Sequence, residues 1–314
     1  MKRRGEKATM RLKDNPNWFA NSPLVRPNTE RSLDALVEAR LAEPESVLLP
    51  LWRGDPLIKD GRALFLSAAA RSEFPNDAPL ILLGEMDGVA HFAIDASGAS
   101  EEAEGAPFAD IGEYLNMRAA AAAIPNADLA IAGHARWLFE WRRQHTHCAR
   151  CGAETNLDAG GAKSTCPACG ADHFPRTDPV AIVLAIHDDA CLLGRNAKFP
   201  AGFLSALAGF VEAGETPEEA AKRELFEEAG VHLDNIRYQF SQPWPFSASL
   251  MMGFIADAEN RELTLDQQEI VEGRWIERED IMAILRGEPA DFFIPPKFTI
   301  ARQLIERWAG SEDD

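Results

Sequence analysis

No stretch of this 314-residue chain approaches the 18 or more consecutive apolar residues that a bilayer-crossing helix requires, so no membrane partner is expected. Basic residues are scarce: 32 Lys and Arg stand against 50 Asp and Glu, for a formal net charge of −18. Tight nonspecific nucleic-acid binding neutralises many phosphates with cations, and this balance argues against it. The start, MKRRGEKATMRLKDNP, lacks the apolar centre of a secretory signal, and Glu6 and Asp14 interrupt its basic residues. A disordered leader, or an over-extended start with Met10 as initiator, is expected there in preference to a transit peptide. With nothing to suggest export, the expected location is cytoplasmic. Cysteine is also sparse, at five residues, and without export a disulfide framework is disfavoured. What is abundant is apolar material, 46% of the chain, enough for two ordinary domains and a small module.

Four of the cysteines form two knuckles, Cys148-x₂-Cys151 and Cys166-x₂-Cys169, separated by fourteen residues. That spacing suits one tetrahedral Zn²⁺, and a closed set of four thiolates implies a structural ion. Each knuckle runs on into Gly, giving a turn that points backbone N–H groups at the sulfurs. Cys191 reads as a buried strand residue, and His145 and His147 as bystanders.

The stretch RELFEEAG (223–230) crowds Glu224, Glu227 and Glu228 onto one helical face, because positions i, i+3 and i+4 adjoin. Like charges at this spacing cost roughly 0.2–0.5 kcal/mol per pair, a penalty that a cation removes. The helix boundaries are legible: Thr216 as N-cap, Pro217 in the first turn, Glu219 completing a capping box, and Gly230 as the stop. For such a cluster alone a solvated acidic face is the alternative; the surroundings decide against it. Gly209, Glu215, Arg223-Glu224-Leu225, Glu227-Glu228 and Gly230-Val231 stand at the spacing of the Nudix box, here residues 209–231. On these residues the chain resembles the Nudix hydrolases at every defined position. Pyrophosphate oxygens repel an attacking water, which is why such chemistry uses divalent cations, and carboxylates suit Mg²⁺ or Mn²⁺. Arg223 reads as orienting Glu215 or a neighbouring carboxylate.

After the box, SQPWPFSAS (241–249) resembles the SQPWPFPxS signature of the NADH pyrophosphatase branch, which carries a four-cysteine ribbon before its Nudix domain. The signature's third proline is Ser247 here, which frees a φ angle and restores an N–H. Trp244 and Phe246 offer flat faces for a nicotinamide or adenine ring, Gln242 and Ser249 offer hydrogen bonds, and Pro243 and Pro245 stiffen the loop. Ser247 and Ala248 complete the expected pocket lining. Phe210 sits in the box loop where it could stack. The resemblance further implies a substrate contact at Phe174, another at Ala301, a metal contact from the Ala208 carbonyl, and a metal-binding Glu269, with Glu272 the second candidate. It implies a homodimer, and NAD-capped RNA as a further substrate beside NADH and NAD⁺.

The expected organisation is an N-terminal α+β domain (1–140), a Cys₄ zinc ribbon (145–173) and a Nudix domain (174–314). The fold class is an α/β/α sandwich on a mixed sheet, the arrangement the resemblance implies. Strands are expected in 46–58, 80–95, 179–195, 236–242, 249–257 and 272–278. Helices are expected over 127–145, 278–286 and 297–309. The expected reaction is metal-dependent hydrolysis of NADH or NAD⁺ to AMP and nicotinamide mononucleotide. A broader dinucleotide or ADP-ribose pyrophosphatase is the first alternative, and a non-catalytic nucleotide sensor the second.

Overall fold

Alternation of buried side chains along the strands sets the layers. The structure, a computed structural model, describes residues 15–26 and 34–310, so the leader and its two candidate starts lie outside the described residues. Strands β1 (Val47–Trp52), β2 (Asp55–Lys59), β3 (Arg62–Ala63), β4 (Leu66–Ser67), β5 (Leu80–Met86), β6 (Val89–Asp95) and β7 (Glu113–Tyr114) form one sheet. Along β1, Leu49 and Leu51 face one core while Leu48 faces another, the two-residue period of a sheet buried on both sides. Helix α1 (Asp34–Leu41) lies toward the Leu48 side. Helices α2 (Met117–Ala123) and α3 (Asn126–Gln144) cover the other. Asn116 caps α2, and Pro125 separates it from α3, which ends with Arg142 and Arg143 at the negative pole of its dipole.

Three short antiparallel strands, β8 (Asn156–Asp158), β9 (Lys163–Thr165) and β10 (Asp172–His173), follow. Then comes a second sheet of β11 (Asp178–His187), β12 (Ala190–Asn196), β13 (Leu207–Phe210), β14 (Leu233–Trp244), β15 (Ser249–Ala258) and β16 (Ile270–Glu277). It is mixed, with β11 parallel to β15 and antiparallel to β12 and β13. Ala181, Val183 and Ala185 of β11 pack toward helix α4 (Pro217–Ala229). Ile182 and Leu184 pack toward α5 (Arg278–Leu285) and α6 (Ile300–Ala309). The α/β/α sandwich is therefore present. The fifth cysteine, Cys191, is fully buried in β12, as its apolar neighbours foretold.

Helices α1 and α2 were not expected, and one strand of the second sheet differs from expectation. β14 runs on through Trp244, so half of SQPWPFSAS is strand, with Gln242 opposite Met251 and Trp244 opposite Ser249. Pro243 is tolerated because β14 is an edge strand, where a missing N–H leaves no ladder bond unmade.

Candidate functional site

Helix α4 is built as its sequence dictates. Thr216 Oγ1 accepts from the Glu219 N–H at 3.2 Å while Glu219 Oε2 accepts from the Thr216 N–H at 2.7 Å, and Gly230 ends the helix at φ 70°. The crowded glutamates are held by Arg223. Its Nε and Nη2 grip Glu215 at 2.9 Å each, Nη1 reaches Glu224 at 2.9 Å and Glu227 at 3.1 Å, and Nη2 also donates to the Phe210 carbonyl at 3.0 Å. A guanidinium has five N–H donors, and five bonds account for them. The Arg223 hydrogen bonds hold the Glu215 carboxyl below the usual carboxylate range.

Glu228 is the exception. It is 7% exposed, and its Oε2 has no hydrogen-bond partner. Burial first, then the nearby charges of Glu224 and Glu269, push its carboxyl up to about 8. A cavity of about 460 Å³ opens here, lined by Arg223, Glu224, Glu227, Glu228, Asp266 and Glu269. Gly209 lies against the same cluster: a Cβ there would overlap the Glu224 carboxylate. A buried, unpartnered carboxylate among further carboxylates is the donor chemistry of a hard divalent cation, so the residues fit one. Between the two candidates after the box, Glu269 lines the cavity, whereas Glu272 is held by Arg195 at 3.0 Å. Asp266 was not foreseen. The segment carrying it closes the end of α4, with Thr264 N–H on the Ala229 carbonyl at 2.9 Å and Asp266 N–H on that of Glu228 at 3.0 Å.

Glu228 also faces a second, larger cavity of about 690 Å³, whose lining includes Ala208, Gln242, Trp244, Phe298 and Ala301. The lining also includes Asn196, at the end of β12, and Lys198 and Phe199 in the segment that follows. Arg118, from α2, stands over the Trp244 ring at 5.5 Å and reaches this cleft from the N-terminal domain. No local cluster in the first 130 residues announces it.

Four expectations about the signature need correction. Gln242 is fully buried and its amide is committed within the protein: Nε2 donates to the carbonyls of Trp18 and Phe298, and Oε1 accepts from the Ile300 N–H at 2.8 Å. Phe246 turns to the N-terminal domain, packing on Phe19 at 5.9 Å beneath Arg118 and Arg136. Ser247 and Ala248 line a separate small cavity with Glu140, Trp141 and Arg176. Pro243, Pro245 and Ser249 line none of the described cavities. Phe174 and Phe210 are 68% and 60% exposed; within one chain Phe174 does not reach the cleft, since it leaves the ribbon pointing to solvent.

The four ribbon sulfurs lie within 4.8 Å of one another, the only His, Cys, Asp or Glu group of three or more drawn together so closely among the described residues. Cys148–Cys169 and Cys151–Cys166 Sγ separations of 3.7 and 3.5 Å match the edge of about 3.8 Å in a tetrahedron with 2.3 Å Zn–S bonds. Knuckle geometry repeats, with Gly152 and Gly170 at φ 77° and 70° and the Arg150 N–H on Cys148 Sγ at 3.4 Å. Burial raises the Cys166 thiol, but N–H groups of Cys169 and Ala168 outweigh it and bring it down to about 7, favouring a thiolate. Purified protein should therefore carry one zinc per chain. Cys166→Ser should empty the site and lower the melting temperature by about 10 °C, measured by elemental analysis and calorimetry; retained zinc in the variant would contradict the assignment.

Three domain families match the chain: the NADH pyrophosphatase-like rudimentary NUDIX domain over residues 45–141, the NADH pyrophosphatase zinc ribbon domain over 143–174, and the NUDIX domain over 176–296. The chain is 40% identical over 192 residues to the human NAD-capped RNA hydrolase NUDT12, covering 58% of this chain and 42% of that protein. It is 40% identical over 197 residues to the NAD-capped RNA hydrolase NudC of Chromobacterium violaceum, covering 63% and 71%. It is 32% identical over 209 residues to the human mitochondrial NAD(P)H pyrophosphatase NUDT13, covering 63% and 59%. The matched segment spans less than half the length of the NUDT12 proteins.

Proposed function

Because the chain belongs to the NUDIX hydrolase family, in the branch that joins a rudimentary NUDIX domain and a zinc ribbon to the NUDIX domain, we propose that it hydrolyses the pyrophosphate of NADH or NAD⁺ to AMP and nicotinamide mononucleotide. NAD-capped RNA is proposed as a further substrate, in keeping with the names of the relatives. The observation that carries the reading is Glu228, a buried carboxylate with an unpartnered oxygen that faces both the acidic cavity and the larger cleft. In this reading Glu224 and Glu228, with Glu227 and Glu269, hold Mg²⁺ or Mn²⁺ beside the Ala208 carbonyl. When bound, such a cation neutralises pyrophosphate oxygens and acidifies a water. The chain's own part is orientation. Arg223 fixes Glu215 and Glu224, Gly209 leaves room for the Glu224 carboxylate, and the cleft wall at Trp244 and Ala301 receives the dinucleotide. Phe210 is exposed at the end of β13 and can stack on a base. A homodimer and a cytoplasmic location are part of the proposal and rest on the family resemblance.

Incubation with NADH and Mg²⁺ or Mn²⁺, products resolved by chromatography, should yield AMP and reduced nicotinamide mononucleotide, with none in EDTA. Comparable rates on NADH, NAD⁺ and ADP-ribose would replace this reading with a broader pyrophosphatase. No turnover of any of them would leave a nucleotide sensor.

A further inference from the structure

We propose that Phe199 and Lys198 form a stacking subsite for the first nucleotide beyond the cap of an RNA 5′ end. The inference rests on the dinucleotide-cleaving reading above and names the extended substrate of that cleft. A free dinucleotide has two bases flanking one pyrophosphate, and the pyrophosphate must lie at the carboxylates. The cleft that Glu228 faces already carries aromatic surfaces of its own. Trp244 and Phe298 both line the cleft, their rings 6.3 Å apart at 15°, and Phe210 is exposed at the end of β13, its carbonyl held by Arg223. Phe199 is a further surface, exposed at the end of the segment that follows β12.

It is also a built surface. The ring is 49% exposed, yet it rests on Phe203 at 4.8 Å, which in turn abuts Phe293 at 5.6 Å. The turn is fixed from both sides: Asn196 accepts from the Lys198 N–H through Oδ1 at 3.0 Å and from the Phe199 N–H through its carbonyl at 2.9 Å. The base of the segment is tied down by Phe293 N–H on Gly202 and Leu204 N–H on Phe293. Such a face, held against solvent by two further phenyl rings, accepts any base, because every base has a π-face. Lys198 adjoins it as an exposed cation on the same cleft rim, complementary to the phosphodiester that joins a cap to its first nucleotide. In a chain of net charge −18, stacking rather than bulk attraction has to supply the affinity for RNA.

The test compares a 5′-NAD-capped pentaribonucleotide with free NAD⁺. Binding is read by calorimetry on the protein in EDTA, and hydrolysis of both is read with Mn²⁺. The parent should bind the capped oligonucleotide about tenfold more tightly than NAD⁺. Phe199→Ala should abolish that advantage, Phe199→Trp should keep it and show that the fold survives, and Lys198→Ala should flatten its dependence on salt by about one ion. Losses of equal size on NAD⁺ and capped RNA would overturn the proposal and assign Phe199 to a base of the dinucleotide. So would a parent with no preference for the capped RNA. A Phe199-dependent preference in a protein that hydrolyses neither would sink the proposed reaction and leave the subsite standing.

Discussion

Glu228→Gln should yield a protein that melts higher than its parent in EDTA at pH 8 while losing at least about a thousandfold in turnover. Its carboxyl is pushed to about 8 by burial and by neighbouring carboxylates, so the folded state favours the protonated form more than the unfolded chain does. Stability from this group is complete below about pH 4.5, its ordinary value, and is lost as pH rises through 8. The ceiling on that loss is about 5 kcal/mol at 1.36 kcal/mol per pH unit, and relaxation around the site reduces it. A neutral amide of the same shape has no such slope. Melting curves between pH 5 and 8 would therefore fall for the metal-free parent and stay flatter for the variant. Saturating Mn²⁺ should reverse the ranking, because it stabilises the state that binds it and the amide binds it poorly. A variant that melts at or below the parent in EDTA at pH 8 would show that Glu228 is not an electrostatic burden in the folded protein.

The second large effect is expected at Gly209. A methyl group there collides with the Glu224 carboxylate, so Gly209→Ala must move that side chain and break its bond to Arg223. Displacement of a positioned group by about 1 Å can cost a hundredfold, and kcat/KM should fall by about that much, with a raised metal requirement. Gly214 provides the contrast. Its φ of 90° strains any L residue, yet nothing lies within 4 Å of a Cβ built there. Gly214→Ala should cost about 1 kcal/mol of stability while retaining most activity. Equal kinetic defects in the two variants would mean that loop strain, not room for Glu224, is what the glycine at 209 provides.

Much of this site is legible in one dimension because its logic is local. Thr216, Pro217, Glu219 and Gly230 bound a helix by rules acting over four residues, and that helix alone brings Glu224, Glu227 and Glu228 to one face. The zinc ribbon is equally local, two turns each closed by its own glycine. The unbroken apolar run of β11 foretells a strand buried on both faces. What stays hidden depends on partners far along the chain. Gln242 reads as a free amide until Trp18, Phe298 and Ile300 close around it. Arg118 reads as one cation in a run of alanines until α2 is docked. Asp266 reads as loop until its backbone closes the end of α4. The choice between Glu269 and Glu272 turns on Arg195, 77 positions away from its partner.

Gln242 also bears on how divisible the chain is. Its side chain joins the segment at Trp18 to the turn before α6, while Asn15 and Asn17 reach the Ser241 carbonyl and Phe19 wedges its ring against Trp244 and Phe246. The chain can be parsed as modules along its length, but one wall of the cleft is assembled from its extremities. Excising the NUDIX module at its sequence borders would expose a seam, removing the backing of Trp244 and leaving the Gln242 amide short of an acceptor. Recombination between relatives should succeed only when residues 15–19 and the NUDIX module come from the same parent.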